Sequence, residues 1–513
     1  MKNLKKVLIG ILAFVGLLGL ASCNKKIEGE LSVVENRLSL EFTASFENGE
    51  QFENGNAKAY IALYKGETYA EKKDLTFPSS FVECDVIFSS LVPGTTYTGK
   101  LYVTQNGEAT LIDELEATTL AAGEDENDPI LIESVKDFKD MANDVTAYYK
   151  LACDLDFGGE SISIFKSSKI FAGSFDGDGH TISNFKLTSN TYMGLFGYIE
   201  DATIKNLTVS KVTVDLSSTG RGETYMGALV GKAINSEITN CHVKEVNFKF
   251  SGYSTAKVSL GGFAGRLHST IVDNCSAETT SVEITKARLK MAVGLFIGRT
   301  ESTTKVTNCY SVGTLSARVY FTSGQTESDP DYVYVGGFIG INDAPVAIEN
   351  CYTIVDIKVD EDLNKTESSE PSKTHELAVG GFIGGNWQGY VNTKNCLAVA
   401  DLDVTTKFSK ASYVGGFIGS VRAYNTSFKD SAYVAKEKGI TLNSKLDGVT
   451  ASVLYGKINT PAESLVNFVA YSNSITAPEG LTLGNVAIST DLSFLSEDLQ
   501  NIAKDYPASS DTE

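Results

Sequence analysis

Two groups of side chains in this 513-residue sequence are of types that do chemistry. The first is Asp154, Asp156, Asp176, Asp178 and His180. Paired carboxylates serve as acid, base or nucleophile in glycoside hydrolysis, and gathered carboxylate oxygens ligate calcium. Yet Asp-Gly-Asp-Gly at 176–179 is also turn composition, because Asp bonds its own backbone and Gly accepts left-handed angles. The turn is the reading taken forward, with no catalytic residue, metal or cofactor expected. His180, His242, His268 and His375 are scattered, as structural histidines are. Gly-x-Ser-x-Gly, Gly-x-Gly-x-x-Gly and phosphate-loop patterns do not occur in the sequence.

The second group is aromatic. Tyr332, Tyr334, Trp387, Tyr390 and Tyr413 lie beside glycine-rich motifs, and Tyr225, Tyr253 and Tyr320 occupy similar segments. Such rings stack on sugars or grip a protein, so the first five form the candidate binding face. Covering the edges of a repeat is the other use for them. Two long polar segments, 322–331 and 360–374, adjoin this group. Their acidic residues, Glu327, Asp329 and Asp331 among them, read as solvated loop tips rather than a calcium site.

Beyond Cys23 there are cysteines at 84, 153, 241, 275, 309, 351 and 396. An odd count without any Cys-x-x-Cys pair argues against a zinc ribbon or a full disulfide framework. The last five recur at one repeat position, which fits small buried apolar residues. A net charge of −20 leaves little to neutralise phosphates, so nucleic acid is not an expected partner. Hydrophobic residues at 42% suffice for a large core, and 46 Gly against 9 Pro suits many tight turns between strands.

The elements that must position these residues follow from periodicity. At 1–23, Lys2, Lys5 and Lys6 precede a 14-residue apolar run, too short for a permanent span, which needs about 20. Residues 24–29 are a tether. From 30 to 120 apolar and polar residues alternate, as at Leu38, Leu40, Phe42 and Ala44, giving a β-sandwich. Residues 121–129 are an acidic linker. From 130 to 475 a glycine motif repeats: Met-Gly-Leu-Phe-Gly at 193–197, then six fuller copies such as Val-Gly-Gly-Phe-Ile-Gly at 335–340, and a weak copy at 453–456. Its closing glycines are 33 to 44 residues apart. About ten residues after each comes Asn-Leu or Asn-Cys, from Asn206 to Asn395, and weakly Asp430-Ser431.

Units this small cannot bury a face alone, so they must stack on a shared core. Parallel stacking puts the Phe of each unit over the next, the Cys likewise, and Asn at each backbone turn, where side chains hydrogen-bond along the axis. On that register Phe338→Asp places a charge in a dry core and unfolds the solenoid. The expected length beyond a plain coil falls between each Asn-Cys and the next glycine motif, on one face. At 476–513, Leu492, Leu495, Leu499 and Ile502 have helical spacing, predicting an amphipathic helix that caps the open end.

Three resemblances sharpen this. Leu-Ala-Ser-Cys at 20–23 resembles a bacterial lipobox, implying cleavage before Cys23 and lipidation of its thiol. Asn24 is not the aspartate that retains some lipoproteins in the inner membrane, so an outer-membrane anchor is expected, facing either side. Leu-Val-Pro-Gly-Thr-Thr-Tyr at 91–97 resembles the turn before a corner tyrosine in fibronectin type III and immunoglobulin-like domains. The usual early-strand tryptophan is missing, since Trp387 is the sole Trp. The glycine motif resembles the GLUG repeat of bacterial surface proteins, found also beside immunoglobulin A-cleaving metallopeptidases, and 171–187 looks like its leader coil. That family brings no catalytic residues, and no His-Glu-x-x-His occurs here.

The expectation is an all-β protein: an Ig-like or fibronectin III-like sandwich followed by a right-handed parallel β-helix with a C-terminal cap. Its expected role is a lipid-anchored cell-envelope adhesin or binding protein for a glycan or a host or surface protein, without catalysis. A polysaccharide-active β-helix lyase or hydrolase and a structural envelope component are the alternatives. Three or more Asp, Glu, Lys or Arg side chains in one groove would favour the enzyme.

Overall fold

The computed structural model describes residues 27–46, 52, 57–76, 83–121, 123–188, 191–218, 222–253, 257–288, 290–320, 332–361, 372–406, 409–422, 426–444, 450–452, 454–457, 465–470, 475–476, 482–483 and 491–506. The leader with Cys23, half of the tether, all of 322–331 and residues 362–371 of the second polar segment lie outside these residues. The chain divides into two compact units, Met1–Ile130 and Leu131–Glu513.

In the first unit every strand pairing is antiparallel. Gly29–Glu35, Ser39–Phe46 and Glu83–Ser89 make one sheet; Thr68–Asp74, Ala57–Lys65, Thr96–Gln105 and Glu108–Thr118 make the other. Alternation aims Leu40, Phe42 and Ala44 of one sheet at Ile61, Leu63 and Leu101 of the other, and all six are buried in one core. Tyr97 anchors the turn before its strand: its hydroxyl accepts the Val92 N–H at 3.1 Å.

The second unit is a parallel β-helix of three sheets. In each coil a long strand of the first sheet, such as Val346–Glu361, leads to one in the second, Ser372–Gly380, and a short one in the third, Ile383–Asn386. Equivalent residues fall in register: Gly336 on Gly380, Ile339 on Ile383, Cys351 on Cys396. The Phe ladder runs through Phe263, Phe296, Phe338, Phe382 and Phe417, with ring centres 4.6 to 4.8 Å apart. That is the spacing of the strands themselves. Cys241, Cys275, Cys309, Cys351 and Cys396 are buried free thiols in a second ladder.

The glycine motif is required where the second sheet turns into the third. A Cβ on Gly336 would lie 2.0 Å from the Ile339 carbonyl oxygen, and one on Gly340 would lie 2.5 Å from Val293 N. The six asparagines Asn206 to Asn395 hold left-handed φ of 51° to 56°. Their amides form an axial ladder: Asn240 donates to Asn206 at 2.9 Å, Asn274 to Asn240 at 3.2 Å, Asn350 to Asn308 at 3.1 Å and Asn395 to Asn350 at 2.8 Å. One rung departs, Asn308 donating to Asp273 at 2.8 Å.

Three expectations are corrected. The C-terminal helix Glu497–Lys504 does not cap the open end. Its Leu499 and Ala503, with Leu492 and Leu495 in the non-helical segment just before it, pack on Leu397, Val399, Ala432 and Val434, on the outer face of the first sheet. Cys-Leu-Ala-Val-Ala at 396–400 is apolar on both faces, and the helix covers the outward half. The extra repeat length is not all loop, because first-sheet strands such as Val391–Thr406 and Ser427–Ser444 run to 16 and 18 residues. Strands also continue past 475, to Thr482–Leu483. At the other end, the helix Val135–Asp140, capped by Ser134, was not anticipated; its Phe138 ring lies 5.8 Å from Phe157, Phe175 and Phe196 and plugs the first coils.

Candidate functional site

The carboxylates of the leader belong to turns. Asp154 accepts the Thr181 N–H at 2.8 Å, with His180 Nδ1 at 3.2 Å. Asp156 accepts the Gly158 N–H at 2.7 Å, and Asp176 the Asp178 N–H at 2.9 Å. The Thr181 and Gly158 N–H groups hold the carboxyls of Asp154 and Asp156 below their ordinary range. Among the described residues no group of three or more His, Cys, Asp or Glu side chains is placed to hold a metal.

A different feature brings ionisable groups together. The second and third sheets meet at a re-entrant angle, so side chains on their outer faces touch across a furrow along the solenoid. Arg299 on the third sheet donates through Nε to Ser259 Oγ on the second at 3.2 Å. Register sets its columns. On the third sheet Tyr198, Lys232, Arg266, Arg299 and Ile341 stand on successive rungs. On the second sheet Tyr192, Tyr225, Ser259, Ala292 and Tyr334 do the same. Cations therefore meet rings. Lys232 Nζ lies 4.3 Å from the Tyr198 ring centre, Arg266 5.1 Å from that of Tyr225, and Arg422 4.1 Å from that of Trp387. Burial and the neighbouring Arg266 lower the Lys232 ammonium from its usual value.

Beside Arg299 the furrow opens into a cavity of about 530 Å³. Arg299 forms its floor, only 3% exposed, donating to the Tyr332 hydroxyl at 2.7 Å and paired with Asp343. Tyr332 and Trp387, with ring centres 5.4 Å apart, form one wall. Lys257, Lys290, His268 and Glu301 also line it. Arg266 takes Glu301, and Glu223 faces Lys257 at 3.6 Å. Burial raises the Asp343 carboxyl above its ordinary value even with Arg299 against it.

The expected aromatic face is thus only partly a face. Tyr332, Tyr334, Trp387 and Tyr413 do gather in the furrow. Tyr334, however, is 1% exposed, its hydroxyl donating to Glu376 at 2.8 Å, so it is foundation rather than contact surface. Tyr413 is half-buried under Lys457, whose Nζ lies 5.0 Å from its ring centre. Tyr390 stands apart, 39% exposed, in the turn where its carbonyl accepts the Val346 N–H at 3.0 Å. Tyr225 also joins the furrow, while the side chains of Tyr253 and Tyr320 lie outside the described residues. Sequence reasoning missed the cations. Their signal was present: Lys232, Arg266 and Arg299 each directly follow the closing glycine of three consecutive repeats.

No protein-family model matches the chain. Among curated proteins it is similar to halomucin of Haloquadratum walsbyi, 28% identical over 251 residues, which cover 37% of this chain and 3% of that protein. Among solved structures it is similar to one described as IgA1 Protease, at 14% identity and a TM-score of 0.35, covering 81% of this chain and 28% of that one. A Parabacteroides merdae β-glucuronidase is matched at 10% identity and a TM-score of 0.14, over 36% of this chain and 29% of that one. The chain thus spans under a third of each of these proteins.

Proposed function

We propose that this protein is a lipid-anchored binding protein of the outer membrane whose furrow holds a saccharide chain. The observation that carries the reading is the cavity walled by Tyr332 and Trp387 over the fixed Arg299. Sugar-binding clefts combine a flat ring with a few immobilised polar groups, and a groove running across coils suits a polymer. Trp387 is the chain's single tryptophan, so its fluorescence reports the furrow directly. A glycan-array screen with the soluble chain 24–513, beside Trp387→Ala, tests the reading. Trp387-dependent hits are expected, and hits indifferent to Trp387 overturn it.

The remaining assignments belong to the same proposal. The lipobox-like 20–23 places the lipid on Cys23; loss of acyl label in Cys23→Ser is the check. The Tyr97–Val92 hydrogen bond favours a fibronectin III-like spacer in the first unit. The Phe, Cys and Asn ladders fit GLUG-type repeats.

A second reading has its own support: Glu301 and Asp343 share Arg299 in one groove with Lys257, Lys290 and His268, the charged cluster a polysaccharide-active enzyme needs. Both carboxylates are committed to guanidinium partners, which favours binding over turnover. Release of reducing ends or unsaturated sugars from a bound polymer would decide for the enzyme.

A further inference from the structure

We propose that the furrow's ligand is an uncharged, hydroxyl-rich polysaccharide, because the charges around the cavity over Arg299 are already paired within the chain. This rests on the furrow being a saccharide-binding surface and names the class of polymer it selects.

The Lys, Arg, Asp and Glu side chains that line the cavity are Lys257, Lys290, Arg299, Glu301 and Asp343. Arg299 pairs with Asp343 and also donates to Ser259 and to the Tyr332 hydroxyl. Glu301 takes Arg266, with Arg299 Nη1 3.8 Å away. Lys257 lies 3.6 Å from Glu223, and Lys290 is engaged within the chain as well. An ionised substituent placed here meets both signs at once. A carboxylate or sulfate drawn by Lys257 shares the cavity with Glu301 and Asp343, so attraction and repulsion oppose each other. To win a guanidinium it must displace one of those carboxylates and leave it unpaired. Burial already holds the Asp343 carboxyl above its ordinary value in spite of Arg299, so the site disfavours further negative charge. A ligand cation fares no better, since both carboxylates are committed to guanidinium groups.

Sugar hydroxyls require no such exchange. A hydroxyl both donates and accepts, and a paired carboxylate or guanidinium keeps lone pairs or N–H groups to offer it. His268 Nδ1 is buried and has no hydrogen-bond partner among the described residues, so the polar lining is not saturated from within the chain. Ser302 and Gln388 bring a hydroxyl and an amide to the same cavity. Tyr332 and Trp387 supply the apolar rings on which a sugar ring packs. A neutral chain therefore uses every kind of group in the lining and breaks none of its ion pairs.

The test is a Trp387 fluorescence titration of the detergent-solubilised full chain with neutral polymers (dextran, mannan, galactan) and acidic ones (polygalacturonate, hyaluronate, dextran sulfate). Saturable quenching by a neutral polymer, and by none of the acidic ones, is the expected result. Raising salt from about 0.05 to about 0.5 M should change that affinity by less than about twofold, since no ion pair joins ligand to protein. Glu223→Gln removes the partner of Lys257 and should bring in binding of an acidic polymer. Glu283→Gln, the same change beside Lys249 on the first sheet, should not. Acidic binding by the parent chain, or a loss of affinity of about tenfold in salt, would overturn the uncharged class while leaving the furrow a saccharide site. A folded Glu223→Gln chain that still ignores acidic polymers would overturn it too; should that variant fail to fold, the salt series on the parent decides. Silence toward all six polymers would overturn both proposals.

Discussion

The Arg422 guanidinium lies 4.1 Å from the centre of the Trp387 ring and also pairs with Glu376, which is 2% exposed. One side chain thus supports the furrow's aromatic wall and neutralises its most deeply buried acid. Arg422→Ala should red-shift Trp387 emission and cost about 2–3 kcal/mol, below the cost of a fully buried pair because the Arg422 side chain is 35% exposed. Adding Glu376→Gln should recover part of the loss. Denaturation followed by fluorescence checks both; an additive double variant would mean the pair is uncoupled.

Phe338 is fully buried between Phe296 and Phe382, with ring centres 4.8 and 4.7 Å away. Phe338→Ala should cost about 3–5 kcal/mol. Phe338→Asp, which buries an unpaired charge, should abolish the cooperative transition. A native melting profile for the Asp variant would contradict the ladder.

Asn350 holds φ at 56° and links Asn308 to Asn395. Asn350→Gly removes the hydrogen bonds and keeps the backbone angle easy. Asn350→Ala removes both, so it should be the less stable of the two by about 1 kcal/mol. Equal Tm values would show that the left-handed turn carries no strain.

Deleting residues 491–513 uncovers Leu397, Val399, Ala432 and Val434 but leaves the inner ladders untouched. The truncated chain should keep its β-sheet circular dichroism, bind a hydrophobic dye and self-associate. Loss of the sheet signal itself would mean that the helix holds the core together.

Burial pushes the phenols of Tyr198 and Tyr352 up to about 12 from 10.0, with Glu200 beside the first and Tyr310 stacked on the second. The fold therefore favours their neutral forms. That contribution is complete below pH 10 and is lost as pH rises from 10 toward 12, because only the unfolded chain ionises freely there. Urea midpoints measured across pH 9 to about 12 should fall, and fall less in Tyr198→Phe/Tyr352→Phe. A flat profile for the parent would count against the buried phenols.

The ladders were legible in the sequence because a solenoid reuses one backbone position in every coil. A residue type that recurs at Phe338, Cys351 or Asn350 must then stack on its own copies. The paired antiparallel sheets of the first unit could be read for a similar reason, strict alternation at Leu40, Phe42 and Ala44 requiring a buried side. What lies outside those periods was decided by tertiary structure. Nothing local to Leu492, Leu495 and Leu499 says which apolar surface this C-terminal segment covers; Leu397 and Val399 decide that across nearly a hundred residues. The furrow is the clearest case. Tyr332 and Arg299 lie on strands of two sheets, with Lys257 and Trp387 directly flanking other strands of those sheets, and only the angle at which the glycine corner joins the sheets brings their outer faces within hydrogen-bonding and stacking distance. Periodicity along a chain records which side a residue faces; it does not record the angle between sheets, and that angle makes the site.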